Sequence, residues 1–254
     1  MRVSRRQSLR ALAAAPLGLS LPQAVFGAAP HVRLIVLDVG GTIIQDRGDV
    51  PEGLQRAFSK RGMTVTSDEI AQWRGASKRE VIQHFVTERS SAEAVGKQEL
   101  AAAIYADFNA QAIEVYKDVP PIAGAEMTFE KLRSNGYLLA SSTGFGREIT
   151  ASIFRRLGWE KYFAAIITSD DVAQGRPAPY MIFHAMEAAR IGNVRDGVVV
   201  GDTPLDLQAG TNAGVRGVIG ALSGASKEER LRPEPHTEIL ASVAELPALM
   251  AAKY

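Results

Sequence analysis

An apolar run from Val32 to Leu37, interrupted only by Arg33, leads straight into Asp38-Val39-Gly40-Gly41-Thr42. A near-continuous apolar run, rather than an alternating one, is what a strand buried on both faces requires, and such strands belong to parallel α/β sheets. The glycines that follow let a ligand approach the backbone closely. Open α/β sheets bind ligands beyond the carboxyl ends of their strands, so the carboxylate of Asp38 stands where a site is expected.

The pattern then turns helical and stays so to about residue 116. Leu54, Ala57, Phe58 and Arg61 suit an amphipathic helix stopped at Gly62, and residues 68–73 suit a short helix ended by Gly75. Ser77-Lys78-Arg79-Glu80 fits a capping box in which Ser77 bonds back to the Glu80 amide. A long Ala-rich helix is expected over roughly 91–116. From Val119-Pro120-Pro121 onward strands and helices alternate: strands near 137–141, 164–168, 197–201, 216–219 and 237–240, and helices near 146–157, 178–190, 204–213 and 243–252. This alternation predicts a doubly wound parallel α/β sheet of Rossmann-like type, formed by 30–50 and 120–254, with an all-helical insert at 51–119.

The first 29 residues read as a separate object. Ser4-Arg5-Arg6-Gln7-Ser8-Leu9-Arg10 precedes a weakly apolar stretch, and Val25-Phe26-Gly27-Ala28 has the small residues of a cleavage site. The paired arginines resemble a twin-arginine export signal, which implies a periplasmic protein; the alternatives are a disordered basic leader and a misassigned start codon, the latter implying a cytoplasmic protein. The apolar stretch is too short for a permanent anchor. Without the four arginines of residues 1–30, 25 basic side chains face 28 acidic ones, a net charge of −3. That balance gives no support for a nucleic-acid partner. The absence of cysteine excludes thiol nucleophiles and Cys-ligated metals. The assembly state is left open, a homodimer among the options.

Four expected loops at strand ends gather the reactive groups. They hold Asp38; Ser142-Thr143-Gly144-Phe145-Gly146-Arg147-Glu148; Asp170-Asp171-Val172 running to Gly175-Arg176-Pro177; and Gly201-Asp202-Thr203-Pro204-Leu205-Asp206. A nucleophilic carboxylate, a hydroxyl, a cation and a further acidic pair are what phosphoryl transfer to Asp requires. These motifs resemble the haloacid dehalogenase-like hydrolase superfamily, and within it phosphonatase and phosphonatase-like hydrolases. The narrower likeness rests on the small residue at Gly40, on the Ser142 to Glu148 sequence, and on Arg176 where most relatives use Lys.

The resemblance implies Asp38 as nucleophile and Mg²⁺ ligand, with the Gly40 carbonyl and Asp202 as further ligands and Asp206 supporting the metal. It implies Ser142 and Arg176 as phosphoryl-binding groups, joined by Thr143 and Gly144, with Thr42 supporting the loop or the phosphoryl site. It also makes the insert a cap and the substrate a small organophosphorus molecule. Arg147 as a surface ion pair, Asp170 with Asp171 as loop-capping acids, and Asp206 as a helix cap are the plainer expectations.

Aspartyl phosphatases carry a second Asp two positions after the first, as acid/base; here that position is Gly40, which offers no proton to a leaving alkoxide. An aldehyde beside a P–C bond offers another route, through a lysine Schiff base that accepts the electrons of the broken bond as an enamine. The resemblance places that lysine at Lys78, in Gly75-Ala76-Ser77-Lys78, where a helix N-terminus and a nearby cation favour the free amine. Phosphonatase has Met before that glycine and His after the lysine; this chain has Arg74 and Val81, with His84 a turn further on. Alternatives for Lys78 are a solvated lysine or a phosphate contact. Alternatives for the whole are a phosphatase for small monoesters and an exported, non-catalytic binding protein.

Overall fold

The computed structural model describes residues 32–254. The leader reading therefore lies outside the described residues. Strand β1, Leu34–Leu37, is buried at every position. Its side chains alternate between two cores: Ile35 and Leu37 pack in one, Leu34 and Val36 in the other. Burial on both faces is why the segment is a run of aliphatics.

Four helices make up the insert that follows β1: α1 (Asp49–Lys60), α2 (Ser67–Ala71), α3 (Lys78–Arg89) and α4 (Ala94–Val115). The α/β part resumes with α5 (Ala125–Ser134), β2 (Leu138–Thr143), α6 (Arg147–Leu157), β3 (Ala165–Thr168), α7 (Tyr180–Ala188), β4 (Gly197–Gly201), α8 (Pro204–Ala213), β5 (Gly217–Ala221), α9 (Glu228–Leu231), β6 (Glu238–Leu240) and α10 (Leu246–Lys253). The sheet has six parallel strands in the order β3-β2-β1-β4-β5-β6. β1 lies at the centre, and the order reverses beside it. This is the switch point at which open sheets leave a crevice.

The expected α/β class and the helical run after β1 match this architecture. Four local expectations need correction. Helices α5 and α9 lie outside the expected elements, although Ala125, Thr128, Phe129 and Leu132 bury one face of α5 at helical spacing. Strand β2 continues through Ser142 and Thr143 instead of stopping at 141, because both pair with β3. α2 carries a capping box of its own, with Thr66 and Glu69 reciprocally bonded. The box expected at Ser77 is absent: Ser77 precedes α3, but its side chain makes no capping bond. The Glu80 carboxylate instead accepts the Gly175 amide at 2.7 Å, a partner 95 residues away.

The larger core holds an aromatic cluster at the base of the sheet. Trp159 packs edge-on against Phe129, with ring centroids 5.0 Å apart, and is fully buried. Truncating such a side chain costs roughly 3–5 kcal/mol.

Candidate active site

The parallel register fixes the site. Leu37 pairs with Ser141 on one side and with Val200 on the other. The next residue, Asp38, donates its amide to the Val200 carbonyl at 2.9 Å. Asp38 and Asp202 thus leave adjacent strands within one residue of the same level. Asp206 reaches the same place from the first turn of α8, and one oxygen from each of the three carboxylates lies within 4.8 Å of the others.

All three acids are buried. Asp206 does two jobs: Oδ2 caps α8 by accepting from the Thr203 amide at 3.0 Å and the Thr203 hydroxyl at 2.5 Å. Its Oδ1 lies 2.7 Å from Arg176 Nη1 but has no aligned hydrogen bond, so it is an ion-pair neighbour with its lone pairs unfilled. Arg176 directs that nitrogen to Asp38 Oδ1 at 2.9 Å, and its other terminal nitrogen to the Ser142 carbonyl at 2.6 Å and hydroxyl at 2.9 Å. Both terminal nitrogens of the guanidinium are thus engaged, and Arg176 is buried like the acids around it.

Three buried carboxylates face two buried cations, Arg176 and Lys78, and the imbalance appears in their proton affinities. Burial pushes Asp38 up to about 6, against the pull of Arg176, and the neighbouring charge of Asp206 pushes the same way. Burial, then the charges of Asp38 and Asp206, holds Asp202 well above the usual carboxylate range. An all-oxygen donor set with surplus negative charge and an unfilled carboxylate oxygen suits a hard divalent cation such as Mg²⁺. The residues present fit that ion.

Lys78 is buried, with 8% of its surface exposed, which removes the solvated-lysine alternative. Its Nζ donates to the Ala76 carbonyl at 3.2 Å and sits 4.9 Å from the centre of the Phe145 ring. Burial is the main cause that lowers its pKa to about 8; the Arg176 charge adds to this, and Asp38 opposes it.

Asp38, Gly40, Lys78, Thr143, Gly144, Arg176 and Asp202 line one cavity of about 60 Å³. Its remaining wall includes Leu54, Ile70, Trp73, Val81 and Tyr116 from the helical part, together with the ion pair of Arg74 and Asp46. Sequence reasoning missed this wall, because apolar residues that line a cavity look the same in sequence as core.

The other expected residues stand back from the cavity. Ser142 holds Arg176 from behind. Thr42 is fully buried in the turn after β1, off the cavity wall, with its hydroxyl unpartnered. Asp171 caps the turn at Thr168 and pairs with exposed Arg147, the plainer expectation for both. Asp170 accepts from the Arg147 amide at 2.8 Å, Arg79 at 2.6 Å and Tyr105 at 3.2 Å. His84 packs on Trp73, with ring centroids 4.4 Å apart, and lies 3.2 Å from Glu88.

The haloacid dehalogenase-like hydrolase family matches residues 35–219 of this chain. The chain is similar to a bifunctional phosphonoacetaldehyde hydrolase/aminoethylphosphonate transaminase of Clostridioides difficile, 29% identical over 208 residues. That alignment covers 77% of this chain and 32% of the relative's length. It is also similar to a phosphonoacetaldehyde hydrolase of Latilactobacillus sakei, 29% identical over 232 residues, covering 85% of this chain and 86% of that one. Among solved structures, a phosphonoacetaldehyde hydrolase-like protein from Oleispira antarctica has the same fold, with a TM-score of 0.75 and 22% identity over 91% of this chain and 95% of that one.

Proposed function

Because the chain belongs to the haloacid dehalogenase-like hydrolase family, we propose that it is a Mg²⁺-dependent hydrolase of small organophosphorus molecules that works through a phosphorylated Asp38. With a carbonyl-bearing phosphonate such as phosphonoacetaldehyde, for which its relatives are named, it works with an imine at Lys78. The observation that carries this reading is a buried lysine in the same cavity as the candidate nucleophile, in a chain with no acid at position 40.

Arg176 holds Asp38 with one oxygen fixed and presents its remaining charge to an incoming phosphoryl group. Ser142 fixes the guanidinium in turn. Asp38, Asp202 and the Gly40 carbonyl, with Asp206 beside them, would hold a divalent cation, which when bound would supply the positive charge that lets a phosphoryl dianion meet a carboxylate.

With Lys78 near 8, an appreciable fraction is free amine at neutral pH. That amine adds to the aldehyde and water leaves, giving a protonated imine. As Asp38 attacks phosphorus, the P–C electron pair moves into the imine and forms an enamine. Protonation of the enamine and hydrolysis of the imine free the aldehyde product and Lys78. Water then releases phosphate from Asp38. No proton is required from position 40.

A second reading, a phosphatase for small monoesters, is favoured by Val81, which is apolar where the resemblance implies histidine. In that case Lys78 contacts the substrate without bonding to it. Phosphate release from phosphonoacetaldehyde and from a panel of monoesters, with and without Mg²⁺, tests both readings. P–C cleavage abolished in Lys78→Arg supports the first. Turnover of esters alone leaves only the second. The paired arginines at residues 5 and 6 support export to the periplasm, which cell fractionation tests.

A further inference from the structure

Three successive residues at the start of α3 reach into the α/β part, and they divide the work. Lys78 lines the cavity. Arg79 Nε bonds Asp170 at 2.6 Å, and Glu80 Oε1 accepts the Gly175 amide at 2.7 Å. Asp170 and Gly175 bracket the segment after β3, which ends in Arg176. The helix that delivers Lys78 therefore grips that segment at both ends.

We propose that Glu80 is a positioning residue for Arg176. It fixes the backbone immediately before the arginine, so that the guanidinium meets Asp38 and Ser142 and can take a phosphoryl group. The proposal rests on the functional reading above for what Arg176 binds, but the contact itself does not.

Two observations carry it. The first is chemical. A carboxylate accepting a backbone N–H is a charge-assisted bond, stronger than a neutral one, and Gly175 N is directed at Glu80 rather than at its own loop. Glu80 forgoes the local capping bond that its position after Ser77 offers. The second is steric. A methyl group at residue 175 would lie 3.0 Å from Ser77 Cβ and 3.1 Å from Glu80 Oε2. Glycine at 175 lets α3 sit directly on the backbone that carries Arg176. Arg176 has little freedom left beyond that point, since its guanidinium is bound by Asp38 and Ser142. A backbone displacement at 175 is therefore transmitted to the bonds it makes.

The test compares wild type, Glu80→Ala and Glu80→Gln in the full chain. Readouts are the affinity for inorganic phosphate in the presence of Mg²⁺, amide hydrogen exchange of the peptide containing Gly175, and kcat with KM on a substrate that wild type turns over. Glu80→Ala is expected to exchange faster at Gly175, to bind phosphate about tenfold more weakly, and to lose about 10–100-fold in kcat with a smaller change in KM, the size seen when reacting groups are misplaced. Glu80→Gln, which keeps an acceptor oxygen, is expected to recover most of each loss. Equal phosphate affinity in all three proteins, or faster exchange with no loss in kcat, overturns the proposal. Should wild type turn over no organophosphorus compound, the functional reading falls, while exchange and phosphate binding still decide the role of Glu80.

Discussion

The ring of Phe145 closes over the backbone at Gly40, so that a methyl group built there would come within 3.3 Å of its Cε2 atom. The place where related phosphatases carry an acid/base carboxylate is thus crowded from the loop that follows β2, and Lys78 sits against the same ring. Restoring Asp at 40 is expected to crowd the ring and to add a further carboxylate beside three buried ones. Gly40→Asp should lower stability by about 1–3 kcal/mol, the usual cost of overpacking, without increasing monoester hydrolysis. Denaturant unfolding and phosphate release check this; a stable variant with raised esterase activity contradicts it.

Lys78 makes a prediction with a definite sign. Its folded pKa, about 8, lies below the ordinary 10.5. Between those values the unfolded chain binds more protons than the folded one, so stability climbs with pH across that window, and below it the buried ammonium bears its full cost. For the metal-free protein, Lys78→Met should be more stable at neutral pH, by about 1–3 kcal/mol. P–C cleavage, which needs the free amine, should rise with pH and level off above about 8. Borohydride added during turnover of phosphonoacetaldehyde should fix a two-carbon adduct on the peptide carrying Lys78, and none in Lys78→Arg.

Asp38 behaves in the opposite sense. Burial raises it from 3.8 to about 6, so the folded, metal-free chain holds the extra proton between those values and loses stability as pH rises through them. A cation competes with that proton. Mg²⁺ should therefore raise Tm little at about pH 4–5 and increasingly towards neutrality, where the added stability is about 2.7 kcal/mol at a hundredfold excess over its Kd. Thermal melts with and without Mg²⁺ across that range test this. A shift independent of pH would mean that the ion binds elsewhere.

The site depends on how closely the helical part sits. A methyl group at Gly144 would lie 2.5 Å from the Ala76 carbonyl oxygen and 3.0 Å from that of Gly75. Gly144→Ala should therefore lift the Gly75–Lys78 turn away from Asp38. About a hundredfold loss in kcat/KM is expected, with a much smaller change in the unfolding midpoint. Steady-state kinetics beside denaturant titration separates the two effects.

What the sequence makes legible follows from which forces are local. β1 with Asp38, and β4 with Asp202, can be read because strands buried on both faces need uninterrupted aliphatics, and α8 because Thr203 and Asp206 form a box three residues apart. The polar end of β2 was hidden: Ser142 and Thr143 belong to the strand only because β3 pairs with them. Helix α5 had a readable stripe at Thr128, Phe129 and Leu132, which the neighbouring prolines and glycines obscured. Glu80 shows the limit more sharply. Its spacing from Ser77 satisfies a local rule, yet its carboxylate goes to a distant amide. Likewise, nothing in the local sequence shows that a lysine beginning a helix is buried; the α/β part has to be folded beneath it first.

The catalytic account depends on whether Asp38 captures the phosphoryl group. The most direct measurement is rapid acid quench during turnover of an organophosphorus substrate, followed by mass spectrometry of the peptide spanning β1 and Asp38. The account predicts a phosphoryl adduct on Asp38 that appears before free phosphate and is absent, together with all turnover, in Asp38→Asn. Phosphate released at the normal rate by Asp38→Asn, or an adduct found on another residue, would contradict it.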